Sequence, residues 1–80
     1  MGPLLTEIDA ERKKMRRLRT LVDCTASILY QANLTHREAL NLVAATRKAV
    51  FQLFPGKEET YDLIYKPRFE RILKERLKSN

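Results

Sequence analysis

The sequence predicts an all-α protein: a small bundle of three to four helices built on a long N-terminal helix that forms an antiparallel hairpin with the second helix. Three observations support this fold class. Apolar residues recur at helical spacing through most of the 80 residues. The two glycines and three prolines lie at the N-terminus, at Pro55-Gly56 and at Pro67. No stretch alternates apolar and polar residues as a half-buried strand does.

The first helix is predicted over about residues 4–32. Its apolar side chains recur mainly every three, four or seven residues, a spacing that forms one stripe along a helix. The stripe consists of Ile8, Met15, Leu18, Val22, Thr25, Leu29 and Ala32. Glu11 and Thr25 interrupt the apolar seam, so we interpret the segment as a long helix that packs on its neighbours. At about 1.5 Å per residue it is roughly 40 Å long and outreaches the second helix by about ten residues.

The second helix is predicted from about residue 36 to residue 54. Thr35, followed three residues later by Glu38, forms a capping box that satisfies two free backbone donors at a helix start. Pro55 cannot continue a helix, and Gly56 can adopt the left-handed conformation that often ends one. Because the connector before Thr35 is short, we expect the first two helices to form an antiparallel hairpin.

A third helical region is predicted over about residues 58–78, and we expect it to pack across the hairpin. Glu58 and Glu59 are acidic residues that suit a helix N-terminus. Pro67 lies in the middle of this region and disfavours the helical conformation at Lys66, so we expect a kink or a break near Pro67. The chain, residues 1–80, is predicted to form a single helical domain.

The residue inventory argues against several classes of function. The chain has one cysteine, Cys24, and one histidine, His36, which allow no intrachain disulfide and no metal site with more than one of each. Each would need a second residue to activate it in catalysis. We expect a half-buried Cys24, a surface His36, and neither catalysis nor a cofactor. No apolar run is long enough for a secretory signal or a membrane span, so we expect a cytoplasmic protein without membrane contact.

A basic block lies in the first helix of this chain, whose formal net charge is +6. The candidate residues for binding a polyanion are Arg12, Lys13, Arg16, Arg17 and Arg19. At 100° per residue they spread over much of the helix circumference, which is also typical of a solvated helix face. Both interpretations stay open. We expect any nucleic-acid binding to be weak and independent of sequence, because no aromatic or amide side chains interleave the charges.

The leading functional hypothesis follows from the thin core of so short a chain. Small scaffolds without disulfides or metals commonly gain stability from a partner subunit. We therefore expect a helical module for protein interaction or oligomerisation, which forms a homodimer or binds another protein. The alternative is a nucleic-acid-associated protein that uses the basic face of the first helix. The expected interaction surface consists of Met15, Leu18, Val22, Leu29, Tyr61 and Tyr65.

Overall fold

Three helical segments form the structure, a computed structural model that describes the backbone of residues 3–79 and the side chains of residues 7–78. Helix α1 spans Pro3–Gln31 and helix α2 spans His36–Leu53. The C-terminal segment consists of α3 (Glu58–Thr60), a π-helical turn (Tyr61–Tyr65) and α4 (Lys66–Ser79). These three parts follow one another without a gap, and no strand occurs among the described residues. The predicted all-α fold is confirmed.

The start of α2 is fixed by the predicted capping box. Thr35 Oγ1 accepts a hydrogen bond from the Glu38 N–H (3.1 Å), and Glu38 Oε1 accepts one from the Thr35 N–H (3.0 Å). The hydrogen bond from the Thr35 backbone, followed by the one that involves its side chain, lowers the pKa of the Glu38 carboxyl. At its other end α2 stops at Leu53, before Pro55, and Gly56 takes a φ of +88° that favours glycine.

The C-terminal segment accommodates Pro67 by a change of hydrogen-bonding pattern. The Lys66 N–H donates to the carbonyl of Tyr61, five residues back, and α4 begins at Lys66. Proline lacks the N–H that would bond to the Leu63 carbonyl, and in a regular α-helix its ring would crowd that carbonyl. The wider π-helical turn directly before the proline relieves the crowding. The interruption expected near Pro67 is therefore a π-helical turn within a continuous helical segment.

The three segments contact one another pairwise and form a bundle. Helix α2 runs antiparallel to α1, and the C-terminal segment reverses again and runs parallel to α1. Two hydrogen bonds between α1 and α4 join residues 45 positions apart: Arg68 donates to Asp23 at 2.7 Å, and the Tyr30 hydroxyl donates to Glu75 at 3.5 Å. From about position 13 onward, each residue of α1 is therefore level with the residue about 45 positions later in the C-terminal segment.

Tyr61 lies at the centre of an aromatic group in the core. Its ring centroid is 5.9 Å from that of Phe51, 6.2 Å from that of Tyr65 and 6.3 Å from that of Phe69. Such ring pairs stabilise the fold beyond the area that they bury. The Tyr61 hydroxyl is buried and has no hydrogen-bond partner among the described residues. The other buried hydrophobic residues are Leu18, Val22, Ala26, Leu29, Ala39, Val50, Phe54 and Ile72.

A buried polar contact joins α1 to α2. The Thr25 and Thr46 hydroxyl oxygens are 3.1 Å apart. Each also lies close to the carbonyl four residues before it, that of Leu21 at 3.0 Å and that of Leu42 at 2.9 Å. Each hydroxyl carries a single proton, so two of these three contacts are hydrogen bonds at any moment. The contact places position 25 of α1 level with position 46 of α2 and so marks the register of the two helices.

Arg76 of α4 closes the end of the bundle at which α1 stops. Its guanidinium donates to the carbonyl of Leu29, in the last turn of α1, and to the carbonyl of Leu34 in the connector (2.6 Å). The last carbonyls of a helix have no partner within the helix, and a cation there interacts favourably with the helix dipole. Helix α1 has no basic residue in its own last turn, so α4 supplies this cap. We call this end of the bundle the closed end.

Candidate functional site

The opposite end of the bundle is open, because α1 extends past the other helical segments. Lys57, in the turn between α2 and α3, forms an ion pair with Glu11 of α1. Residues 3–10 lie beyond this contact and extend about 12 Å past the turn at 1.5 Å per residue. We call residues 3–10 the overhang. It matches the excess length of the first helix that the sequence predicts.

Apolar side chains remain partly uncovered on one side of α1 at this open end. Ile8 is 41% exposed, and Met15, one heptad later, packs only partly against the core. Arg12 and Arg16 lie beside them, and together with Glu11 these residues line an open concavity of about 380 Å³. We call Ile8, Arg12, Met15 and Arg16 the overhang face. It combines an apolar floor with a basic rim.

The basic block of α1, which consists of the five candidate residues and Lys14, is exposed throughout, but its members differ in their partners. Lys13 pairs with Asp9 at 3.3 Å, and Asp23 is shared by Arg19 at 3.8 Å and Arg68 at 2.7 Å. The exposed members with no ion pair among the described residues are Arg12, Lys14, Arg16 and Arg17. The candidate polyanion-binding residues are spread around α1, so about three of the five can face one ligand at a time. The structure does not gather them into a single pocket.

Most of the expected interaction surface is part of the core. The side chains of Leu18, Val22 and Leu29 are 0% exposed, that of Tyr61 is 1% exposed and that of Tyr65 is 9% exposed. The C-terminal segment runs alongside α1 and covers the apolar stripe from Leu18 onward, so these five side chains are closed to a partner. Met15 is the one member of the expected set that is only partly buried. Helical periodicity identified the apolar face of α1 but not how far a third helix covers it.

Sequence reasoning missed other exposed apolar residues near the open end. Leu63 and Ile64, in the π-helical turn, are 70% and 57% exposed, and Leu53 at the end of α2 is 66% exposed. A signal for the first two was present in the sequence. Leu63 and Ile64 stand between Tyr61 and Tyr65, and successive positions of a helix cannot all share one face. If the tyrosines are core residues, the intervening pair must face outward.

Neither of the reactive side chains is part of a larger site. Cys24 is exposed, so the half-buried position expected for it is wrong: position 24 falls outside the stripe that Val22 and Thr25 continue. His36 is exposed in the first turn of α2, as expected. Within the described part of the chain, no three His, Cys, Asp or Glu side chains are grouped to hold a metal ion. None of the described helices has the length and apolar character needed to cross a membrane.

A second concavity, of about 290 Å³, lies at the closed end of the bundle. Its lining includes Tyr30, Asn33, Glu75 and Arg76. Two of the guanidinium nitrogens of Arg76 already donate to backbone carbonyls. We therefore interpret this concavity as part of the cap that Arg76 forms at the closed end.

Comparison of the chain with protein-family models, with curated proteins and with solved structures gives no match. No relative therefore indicates a function. The two surface features that bear on function are the overhang face and the basic block.

Proposed function

We propose that the protein is a small helical interaction module that works by self-association through the open end of its bundle. The overhang face carries the proposal. Isolated exposed apolar residues are ordinary, but here Ile8 and Met15 lie one heptad apart on the side of α1 that forms the core further along. A second helix laid on this face would continue the packing that the C-terminal segment begins.

The energetics of a small chain support the same proposal. A short domain buries a smaller fraction of its surface on folding than a longer domain does, and a subunit contact is a common means of adding to it. Each square ångström of apolar surface removed from water contributes roughly 25 cal/mol. The proposal assigns no reaction and no cofactor to the chain. It places the protein in the cytoplasm, where the exposed thiol of Cys24 would stay reduced.

Sedimentation equilibrium at micromolar concentration tests the proposal directly. We expect the wild-type chain to form a dimer and Ile8→Glu to raise the dimer Kd at least about tenfold, because a charge then replaces an apolar contact in both subunits. Ile28→Glu is the matched control, since Ile28 lies on the same helix and is 45% exposed, against 41% for Ile8. A wild-type chain that stays monomeric across this range, or equal effects of the two variants, would contradict the proposal.

A second candidate function is binding of nucleic acid through α1. The observation that favours it is the set of exposed cations without ion pairs among the described residues, Arg12, Lys14, Arg16 and Arg17. Each phosphate that a protein neutralises makes affinity fall more steeply with salt. We expect weak binding of a short DNA duplex at about 0.05 M salt and almost none at about 0.2 M salt. A sequence-selective complex that persists at the higher salt would instead make nucleic acid the principal partner.

A further inference from the structure

Two surfaces of opposite charge and matching apolar character lie at the open end. One is the overhang face, whose arginines Arg12 and Arg16 have no ion pair among the described residues. The other lies on the outer side of the C-terminal segment, where Glu59 is exposed and Leu63, four residues later in the π-helical turn, is 70% exposed. We call Glu59 and Leu63 the acidic knob. It offers a carboxylate that has no ion pair among the described residues next to an apolar side chain, whereas the carboxylate beside the overhang face, that of Glu11, is already paired with Lys57.

We propose that a second copy of the chain covers the overhang face with its acidic knob, and that the contact is reciprocal, so that the dimer has a two-fold axis and each subunit contributes both surfaces. The inference rests on the proposed function and names the surface that the partner brings. In this arrangement Leu63 of one copy lies between Ile8 and Met15 of the other. The carboxylate of Glu59 then lies beside Arg16, with Arg12 within reach of its side chain.

The positions of the two surfaces along the bundle fit this arrangement. The 45-residue offset between α1 and the C-terminal segment makes Glu59 level with about position 14 of α1 and Leu63 level with about position 18. Both surfaces therefore lie at the same end of the molecule. When two bundles pack antiparallel, a two-fold axis near Met15 brings each acidic knob onto the other copy's overhang face. The same axis lays each overhang along the partner's C-terminal segment.

Charge distinguishes this pairing from the simplest alternative, in which the two α1 helices pack on each other through their overhang faces. That alternative places Arg12 and Arg16 of one copy against the same residues of the other, and like charges in contact oppose association. The acidic knob instead supplies an opposite charge. Asp62, its acidic neighbour, is already paired with Arg47 at 3.3 Å and is not needed for the contact.

A charge-complementation experiment tests the proposal. At about 0.05 M salt, where screening is weak, Arg12→Glu/Arg16→Glu and Glu59→Lys should each raise the dimer Kd at least roughly tenfold, because each replaces attraction by repulsion at both contacts. An equimolar mixture of the two variants should restore dimerisation to within about threefold of wild type. In the mixed dimer, one contact pairs two glutamates with the new lysine, and the other keeps the wild-type residues.

Matched controls carry the same charge or apolar change elsewhere. Lys14→Glu/Arg17→Glu repeats the double reversal at other exposed positions of α1. This variant should leave the dimer Kd within about twofold of wild type. Leu63→Glu should weaken the dimer, whereas Leu77→Glu, at a 55% exposed position near the closed end, should not. Circular dichroism of every variant confirms that the fold is retained.

The outcomes separate this inference from the function on which it rests. A wild-type chain that does not self-associate overturns both. Suppose that the wild-type chain dimerises and Ile8→Glu weakens the dimer, but Glu59→Lys and Leu63→Glu have no effect on it. The proposed function then stands, and the acidic knob is not the surface that the partner contributes. Mixing that restores no dimer also overturns the reciprocal contact. If Arg12→Glu/Arg16→Glu weakens duplex binding and leaves the dimer Kd unchanged, the two arginines bind a polyanion and the proposed contact is overturned.

Discussion

The two halves of α1 continue one apolar stripe but have different surroundings. In the C-terminal half, Leu18, Val22 and Leu29 are completely buried. In the N-terminal half, Ile8 is 41% exposed and Met15 is only partly covered. The difference lies in the neighbours, because the chain reverses before Glu58, which by the 45-residue offset is level with about position 13 of α1. No other helix of the described chain runs beside the part of α1 that precedes this position.

This comparison shows that the pattern of a helix and the burial of a helix have separate causes. The pattern belongs to the helix alone, since side chains three, four and seven positions apart share a face. Burial depends on where the partner helices begin and end. Here the Pro55-Gly56 turn sets that limit, and it leaves the N-terminal part of the stripe uncovered by the other described helices.

The substitution with the largest predicted effect removes apolar contacts from the buried part of the stripe. Leu18→Ala should lower the free energy of unfolding by about 2–5 kcal/mol, because it leaves a cavity at a completely buried site. Ile8→Ala should lower it by less than about 1 kcal/mol when urea denaturation is followed below the dimer Kd, since much of that side chain is already in water. Equal losses for the two variants would show that the overhang is covered within the monomer.

Much of the fold was predictable because its signals are local. The capping box of Thr35 and Glu38 and the turn at Pro55-Gly56 act over a few residues, and the structure contains both. The π-helical turn was not predictable in form. Pro67 indicated that the helix must change near that point, but the sequence does not determine whether the change is a kink, a gap or a wider turn.

The candidate site was predictable only in part, because it depends on contacts between distant segments. Periodicity placed Leu18 and Tyr61 on apolar faces, but which residues become core was decided when the C-terminal segment packed alongside α1. The pairing of Thr25 with Thr46 likewise joins positions 21 residues apart. Arg76 lies near the C-terminus of its own helix, yet it caps another one through the carbonyl of Leu29, 47 positions away in sequence.

A second prediction sharpens the contrast between the closed and open ends. Arg76→Ala should lower the free energy of unfolding by about 1.5–3 kcal/mol, because the carbonyls of Leu29 and Leu34 lose hydrogen bonds from a charged donor. Arg71→Ala, at an exposed position of the same helix, should change it by less than about 0.5 kcal/mol. Urea denaturation of both variants gives the comparison. A small effect of Arg76→Ala would show that the closed end is held by apolar packing alone.

The smallest predicted effect concerns Tyr61, which lies level with about position 16 of α1, at the border between the two halves. Its hydroxyl is buried without a hydrogen-bond partner among the described residues. Removing such a group is close to neutral or stabilising, so Tyr61→Phe should change the free energy of unfolding at pH 7 by between zero and about +1 kcal/mol. A loss of 1 kcal/mol or more in thermal or urea denaturation would show that the hydroxyl has a partner in solution.

The same residue should make the border between the two halves of α1 less stable at alkaline pH. Burial raises the pKa of Tyr61 from 10.0 to about 12, against a smaller opposing effect of the Arg47 charge. The unfolded chain therefore loses this proton first. Its contribution to stability is complete below pH 10 and is lost as the pH rises toward 12. Wild type should lose more stability than Tyr61→Phe over that interval, whereas Tyr30→Phe, at a 61% exposed position, should follow wild type. If the free energy of unfolding falls equally with pH for wild type and Tyr61→Phe, water reaches the hydroxyl and the border between the two halves of α1 is open.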